Sequence, residues 1–505
     1  MQNRLRGIHI YGMDIKRKIS LLLPLVPLVL LLLASCEERS LPCCGPDVLY
    51  EKTAYEHFVD ISGVPRCSGD EKAVSDYLME FARVRGLVAY RDGMFNVLIR
   101  KNGSPGREGE PPVALQAHID MTCAKDSGEV HDFGRDPIVP VITDGDWVRA
   151  EKRTSLGADN GSGVSMIMAV LASGRVSHPP VEALFVVQEE LGLLGSLYFD
   201  ISQLSARRLI NLDSVDEGEL VAASSGRFTS EMVIPVSADG LPDGLASYKV
   251  TARGPWDAII MIGRVLDALD GMGIYLSGVD GSPRECAAVI SLDVGDADTV
   301  RSIVSRVEAD YRPLIPGGME MSITIEEAAA AQSVMGGGSP RRIADGILQM
   351  PNGRITVIRQ GDGVFETVIN FVSIVTASGT VTVSNSARSN VLDGLPRLSA
   401  DINALAALIG GSAEIEQGYP GWPFAPVSPL RDRMAEVFAE YYGSLPPVRP
   451  TSGGLDCAAF AQKDPGLDMV SIGPDIENLH SPDERMSLPS FNRVYEYLLM
   501  VLGKI

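Results

Sequence analysis

Histidine is scarce in this chain: six residues among 505, with none between His178 and His480. Basic residues are also in deficit, 44 Lys and Arg against 65 Asp and Glu, for a formal charge of −21. So acidic a surface excludes a nucleic-acid partner, because phosphate recognition needs clustered cations. Seven cysteines are scattered rather than paired at zinc-finger spacing, so no metal finger and no disulfide framework can be read from them. No fixed-period repeat or low-complexity block is present; Gly336-Gly-Gly-Ser-Pro340 is a short loop signal only.

The leader is legible. Arg4, Arg6, Lys16, Arg17 and Lys18 precede an apolar run from Ile19 to Ala34, which Pro24 and Pro27 interrupt and which is short for a membrane span. Residues 1–35 read as a signal peptide, with Met13 as an alternative start. Leu33-Ala34-Ser35-Cys36 resembles the bacterial lipoprotein box, in which the signal is cleaved before the cysteine and that cysteine is lipidated. Lipid on Cys36 would tether the protein to a membrane, in the bacterial cell envelope, facing the periplasm or the exterior. A plain secretory signal or an uncleaved anchor is the alternative. Residues 36–46, including Cys43 and Cys44, form the tether. Loss of the leader leaves the mature part near −25.

At 45% hydrophobic residues the chain can bury a sizeable core, enough for two domains. From Val48 short apolar runs alternate with amphipathic stretches, the pattern of an α/β domain. Strands are expected at Phe95–Arg100, Val113–Gln116, Val181–Val187 and Leu209–Leu212, and helices at Lys72–Val84 and Gly161–Ala172. Acidic and histidine residues cluster where these elements end or begin: His118 and Asp120, Asp159, Glu189 and Glu190, and Asp213. In open α/β sheets, active sites form at that edge.

With His480, those residues could build one metal site. Two carboxylate-and-imidazole sets sharing one bridging Asp are what a two-zinc hydrolase needs. Residues two apart in a strand share a face, so His118 can hold a metal while Asp120 orients it. Adjacent side chains point apart, so one of Glu189 and Glu190 can ligate while the other takes a proton from the attacking water. Asp159, just before the Gly161 helix, can aim both carboxylate oxygens at two ions. Singly, such dipeptides are common at surfaces and turns. Their order and contexts together carry the reading.

Ala114 to Lys125, His131-Asp-Phe-Gly-Arg-Asp-Pro137, Thr154 to Gly163, His178-Pro-Pro-Val-Glu182, Glu189 to Gly195, Leu209 to Leu220 and His480-Ser-Pro-Asp-Glu484 resemble the aminoacyl-histidine dipeptidase family. These are carnosinase-like members of a zinc exopeptidase and amidohydrolase superfamily. Further similarity lies at Pro351-Asn-Gly353, Gly363-Val-Phe-Glu-Thr367 and Tyr419-Pro-Gly-Trp422, so it runs from about Tyr50 to the C-terminus.

The resemblance implies that His118 and Asp213 bind one zinc ion, that Glu190 and His480 bind the other, and that Asp159 bridges them. Manganese or cobalt would suit the same ligands. Glu189 would be the general base and later proton donor, with Asp120 orienting His118. Arg388 would grip the substrate carboxylate, and Gly454 would belong to the loop that meets the substrate. The implied fold is α/β: a catalytic domain in two segments, 47–226 and 419–505, with an α+β lid, 227–418, inserted between them. Lid elements are expected at Tyr248–Thr251, Ile259–Leu269, Ala287–Val294 and Val300–Tyr311, with a second set from Met319 to Ile409. Leu430–Tyr442 is then a returning helix and Asp468–Ile472 the last strand. Lids in this superfamily often mediate dimers, so a homodimer is an expectation.

Departures fall mainly in the lid. A glycine-rich segment containing a family histidine is missing where Tyr248-Lys-Val-Thr-Ala-Arg-Gly254 meets Pro255-Trp-Asp257. A family asparagine is replaced by Asp280, where a carboxylate would repel an anionic intermediate, and the loop around Ser452 lacks another histidine. Three readings follow: hydrolysis of dipeptides by di-zinc-activated water; hydrolysis of an N-acyl amino acid or other small amide; or a tethered pseudo-enzyme that binds metal or peptide without turnover. A free substrate amine would need an acidic partner, for which Asp456 is the candidate.

Overall fold

Val74, Leu78, Phe81 and Ala82 recur on one face of the helix Lys72–Val84, and that face is buried in the first of the protein's large apolar clusters. In this computed structural model residues 51–143, 145–360 and 363–505 are described. The signal peptide, the tether and Cys36 lie outside the described residues.

The helix covers an eight-stranded mixed sheet whose order, by residue range, is 88–91, 97–101, 181–186, 113–118, 208–211, 468–471, 220–224 and 448–451. The strand Val113–His118 runs parallel to both Val181–Val186 and Arg208–Asn211. All six residues of Val113–His118 and of Val181–Val186 are buried, as expected of strands covered on both faces. The helix Ala158–Ala172 is buried almost all round, which its lack of a polar face requires. It begins three residues before the expected Gly161, but Asp159 and Asn160 depart from helical backbone angles.

A nine-stranded second sheet draws all its strands from residues 226–419. The helices Ala258–Ala268, Ala297–Tyr311, Ser339–Leu348 and Gly394–Leu408 contribute buried residues to its apolar cluster. The chain leaves the first sheet through Ser224 and returns beside it: Ser224 and Trp422 exchange backbone hydrogen bonds of 2.9 and 3.0 Å. Gly226 permits that crossing, since a Cβ there would lie 2.5 Å from the Gly421 nitrogen.

The expected elements recur with shifts of up to a few residues at their ends. Asp468–Ser471 is not the last strand, however. Ile476–Glu477 and Arg485–Ser487 follow and pair into a separate four-stranded sheet. Two or three residues are too few to show an alternation. The cysteines, from which no framework could be read, include one bonded pair: Cys67 and Cys123 form a disulfide across 56 residues. Neither cysteine has a spacing that marks the other; only the fold brings their Cα atoms to 5.6 Å.

Candidate metal centre

His118 ends the central strand Val113–His118, and Asp213 follows its parallel neighbour Arg208–Asn211. Glu189 and Glu190 follow the strand on the other side, and Asp159 opens the buried helix. His480 arrives from a loop near the C-terminus with φ of +59°, and Gln188, just before the glutamate pair, has φ of +53°. Such left-handed conformations cost non-glycine residues roughly 1–3 kcal/mol each and persist where the surroundings enforce them.

Asp159 is the hub. Its Oδ1 lies 3.0 Å from His118 Nε2, while its Oδ2 lies 3.2 Å from His480 Nε2. Asp213 Oδ1 is 3.3 Å from His118 Nε2, and Glu190 Oε1 is 2.8 Å from His480 Nε2. Two trios result, His118 with Asp159 and Asp213, and Asp159 with Glu190 and His480. The potential ligand atoms within each trio lie within 4.8 Å of one another.

The electrostatics fit bound cations. Asp159, Glu189, Glu190 and Asp213 crowd one end of the cleft, with two imidazoles as the adjacent basic groups. Burial, aided by Asp159 and Asp456 and opposed by His118, pushes the Asp213 carboxyl up to about 7. At Asp159 burial opposes ionisation, yet His118 and His480 outweigh it and hold the carboxyl below its usual range. The neighbouring Asp159 and Glu190 carboxylates raise His480 to about 10. His118 is raised well above normal: burial disfavours its charge, but Asp213, Asp120 and Asp159 prevail. Glu190 Oε1 is buried and, despite its closeness to His480, is not aligned for a hydrogen bond. Carboxylate and imidazole donors, converging with an unsatisfied oxygen, suit a pair of divalent ions.

Residues 114–504 match the family model for peptidase family M20/M25/M40. The chain belongs to that family. It is 30% identical over 475 residues to the cytosol non-specific dipeptidase of Escherichia coli, covering 89% of this chain and 97% of that one. The structure of aminoacylhistidine dipeptidase from Vibrio alginolyticus superposes with a TM-score of 0.84 at 29% identity, covering 90% and 96% of the two chains. An aminopeptidase from Bacillus cereus shares the fold, with a TM-score of 0.58 at 17% identity and coverage of 90% and 99%.

In this family M20 peptidase the candidate metal ligands face a cavity of about 560 Å³ that Glu189, Arg388 and Gly454 also line. Arg388 comes from the second sheet, on the strand Thr380–Ser389, and is exposed. Gly454 packs so closely that a Cβ would lie 2.7 Å from the Tyr419 ring. Burial holds the Glu189 carboxyl well above the usual range; Asp213, Asp456 and Asp159 reinforce the effect and His118 opposes it. That direction suits a proton acceptor.

Asp120 contacts two of the candidate ligands and the candidate base. Its Oδ1 is 3.3 Å from His118 Nδ1, and its two oxygens accept the Glu189 and Glu190 amides at 3.1 and 3.3 Å. Ser68 Oγ, which the sequence reading missed, donates to Asp120 Oδ2 at 2.8 Å.

Two expectations are corrected. Asp456 is fully buried, accepts Gln116 Nε2 at 2.7 Å through Oδ2 and is absent from the cavity lining, so it does not face the space a substrate amine would occupy. Asp216 and Glu219 do line the cavity, as does Arg449, 3.6 Å from Glu219; none of the three was singled out from sequence. Asp280 accepts the Thr376 amide at 2.8 Å and is likewise absent from the lining, so the expected repulsion does not arise within this chain. Four residues join the strand Leu245–Arg253 to the helix Ala258–Ala268.

Proposed function

We propose that this family M20 peptidase hydrolyses dipeptides with two zinc ions at His118, Asp159, Asp213, Glu190 and His480. The observation that carries the proposal is the Asp159 carboxylate, each of whose oxygens faces a different histidine at about 3 Å. Two imidazoles among the ligands favour zinc over a hard, all-oxygen ion. When bound, the zinc pair supplies Lewis acidity and makes water more acidic. Glu189 takes a proton from the attacking water, whose oxygen bonds to the peptide carbonyl carbon. The C–N bond then breaks as Glu189 returns the proton to the leaving nitrogen. Arg388 holds the C-terminal carboxylate and thereby fixes the scissile bond relative to Glu189.

Asp216 and Glu219 support a substrate with a free amine, since they are the carboxylates the cavity offers beyond the ligands and Glu189. An N-acyl amino acid would bring them no ammonium group to meet. We read residues 47–226 and 419–505 as the catalytic domain and 227–418 as a lid through which two copies pair. We also place the protein in the bacterial cell envelope, anchored by lipid on Cys36. The leader supports this location, as does the Cys67–Cys123 disulfide, because such bonds persist in oxidising compartments.

The test is a panel of free dipeptides, including Xaa-His, and of N-acetylated amino acids, given to the soluble domain with zinc. Zinc-dependent release of amino acids from dipeptides is the expected result. Cleavage confined to N-acetylated compounds would replace the substrate class. No cleavage with two zinc ions bound would leave a binding protein.

A further inference from the structure

The metal ligands sit on separate segments, and two buried charged side chains outside the ligand set tie three of those segments together. Arg66, 2% exposed, donates through Nη1 to the carbonyls of Ile119 and Asp120 at 3.3 and 3.2 Å, and through Nη2 to the carbonyl of Gly157 at 2.5 Å. It thereby links the segment that follows His118 to the one that precedes Asp159. Packing around it is tight: a Cβ on Gly157 or Gly161 would come within 2.5 or 2.7 Å of Nη2.

Glu484, 3% exposed, works from the other side. Its Oε2 accepts the amides of Leu156 and Gly157 at 2.8 and 2.9 Å, and its Oε1 accepts those of Ala158 and Asp159 at 2.8 and 3.2 Å. One carboxylate therefore satisfies four successive backbone donors leading into Asp159. Glu484 shares a loop with His480, and its own amide bonds the Ser481 carbonyl.

A buried arginine and a buried carboxylate are costly to desolvate unless their partners repay the cost. Here the partners are almost all main-chain groups of ligand-bearing segments. We propose that Arg66 and Glu484 are positioning residues that set the separation of His118, Asp159 and His480, so that Asp159 can serve two ions at once. The inference rests on the metal-centre reading. It adds that the pairing of the ions depends on a brace that touches neither ion.

The experiment is titration of zinc into the metal-free soluble protein, comparing wild type with Glu484→Gln and Arg66→Lys, with stoichiometry and affinity read by calorimetry. Glutamine offers one acceptor oxygen in place of two and should leave two amides unmatched. Altered partners of metal ligands typically cost about 10- to 100-fold in affinity. The expected result is two ions in wild type, with at least one site weakened tenfold or more in each variant. Cobalt substituted for zinc should show an altered ligand-field spectrum in the variants, a change that lowered stability alone would not produce. Two ions bound with wild-type affinity and spectrum in both variants would overturn the brace. Fewer than two ions in wild type would overturn the metal-centre reading and the brace with it. Should a variant fail to fold, hydrogen exchange in metal-free wild type decides: the amides of Leu156 to Asp159 should be protected, and exchange at loop rates would refute the brace.

Discussion

Asp120 accepts the backbone amide of Glu189 at 3.1 Å through the same oxygen that lies 3.3 Å from His118 Nδ1. One carboxylate thus sets both the imidazole of a candidate metal ligand and the main chain of the candidate base. The arrangement is stricter than the His-x-Asp spacing suggests, because shifting Asp120 moves two functional groups together.

Asp120→Asn should therefore damage binding and chemistry at once. An amide has one acceptor oxygen where the carboxylate has two, and cannot take Ser68, Glu189, Glu190 and His118 together. Zinc affinity should fall about 10- to 100-fold, and kcat should stay depressed at saturating zinc. Wild-type kcat at saturating zinc would mean that Asp120 does not position the base.

Glu189→Gln removes the proton acceptor while keeping its shape. A general base contributes about 10²- to 10⁴-fold to rate. Loss of that size in kcat, with two zinc ions still bound by elemental analysis, is expected. Retained turnover would move the proton transfer to another group.

Arg388→Met should raise KM for free dipeptides by about 10- to 100-fold, the worth of a charge-assisted hydrogen-bonded pair. Dipeptide amides lack the carboxylate, so they should be poor substrates of wild type and should change little in the variant. An equal loss on acids and amides would show that Arg388 does not read the carboxylate.

His57 should make the fold acid-sensitive. It is 1% exposed, neither ring nitrogen has a hydrogen-bond partner among the described residues, and burial, helped by Arg85, lowers its pKa from 6.5 to about 4. The unfolded chain takes up this proton at higher pH than the fold does, so the contribution is complete above pH 6.5 and drains as pH falls towards 4. A His57→Phe variant should show a shallower fall of Tm across that window. Parallel profiles would remove His57 from the account.

Cys67 and Cys123 pin the segment that carries Arg66 and Ser68 beside the exit of the central strand. Replacing both by serine should cost roughly 2–4 kcal/mol by releasing a closed loop in the unfolded chain. Reductant should lower the midpoint of wild-type denaturation and leave the variant unmoved. A midpoint indifferent to reductant would mean that the bond contributes nothing.

The α/β alternation and the ends of its strands are legible in the residues alone, because period and turn chemistry are local. Those ends are where His118, Glu190 and Asp213 sit, and Asp159 opens a helix. Only tertiary structure decided that Asp159 faces both histidines, that Arg388 reaches the cavity from another sheet, and that Asp456 turns inward to Gln116. The Cys67–Cys123 bond and the reach of Arg66 and Glu484 were hidden for the same reason. Contacts between residues tens to hundreds of positions apart leave no periodic trace in a single chain, because packing selects them after the local elements have formed.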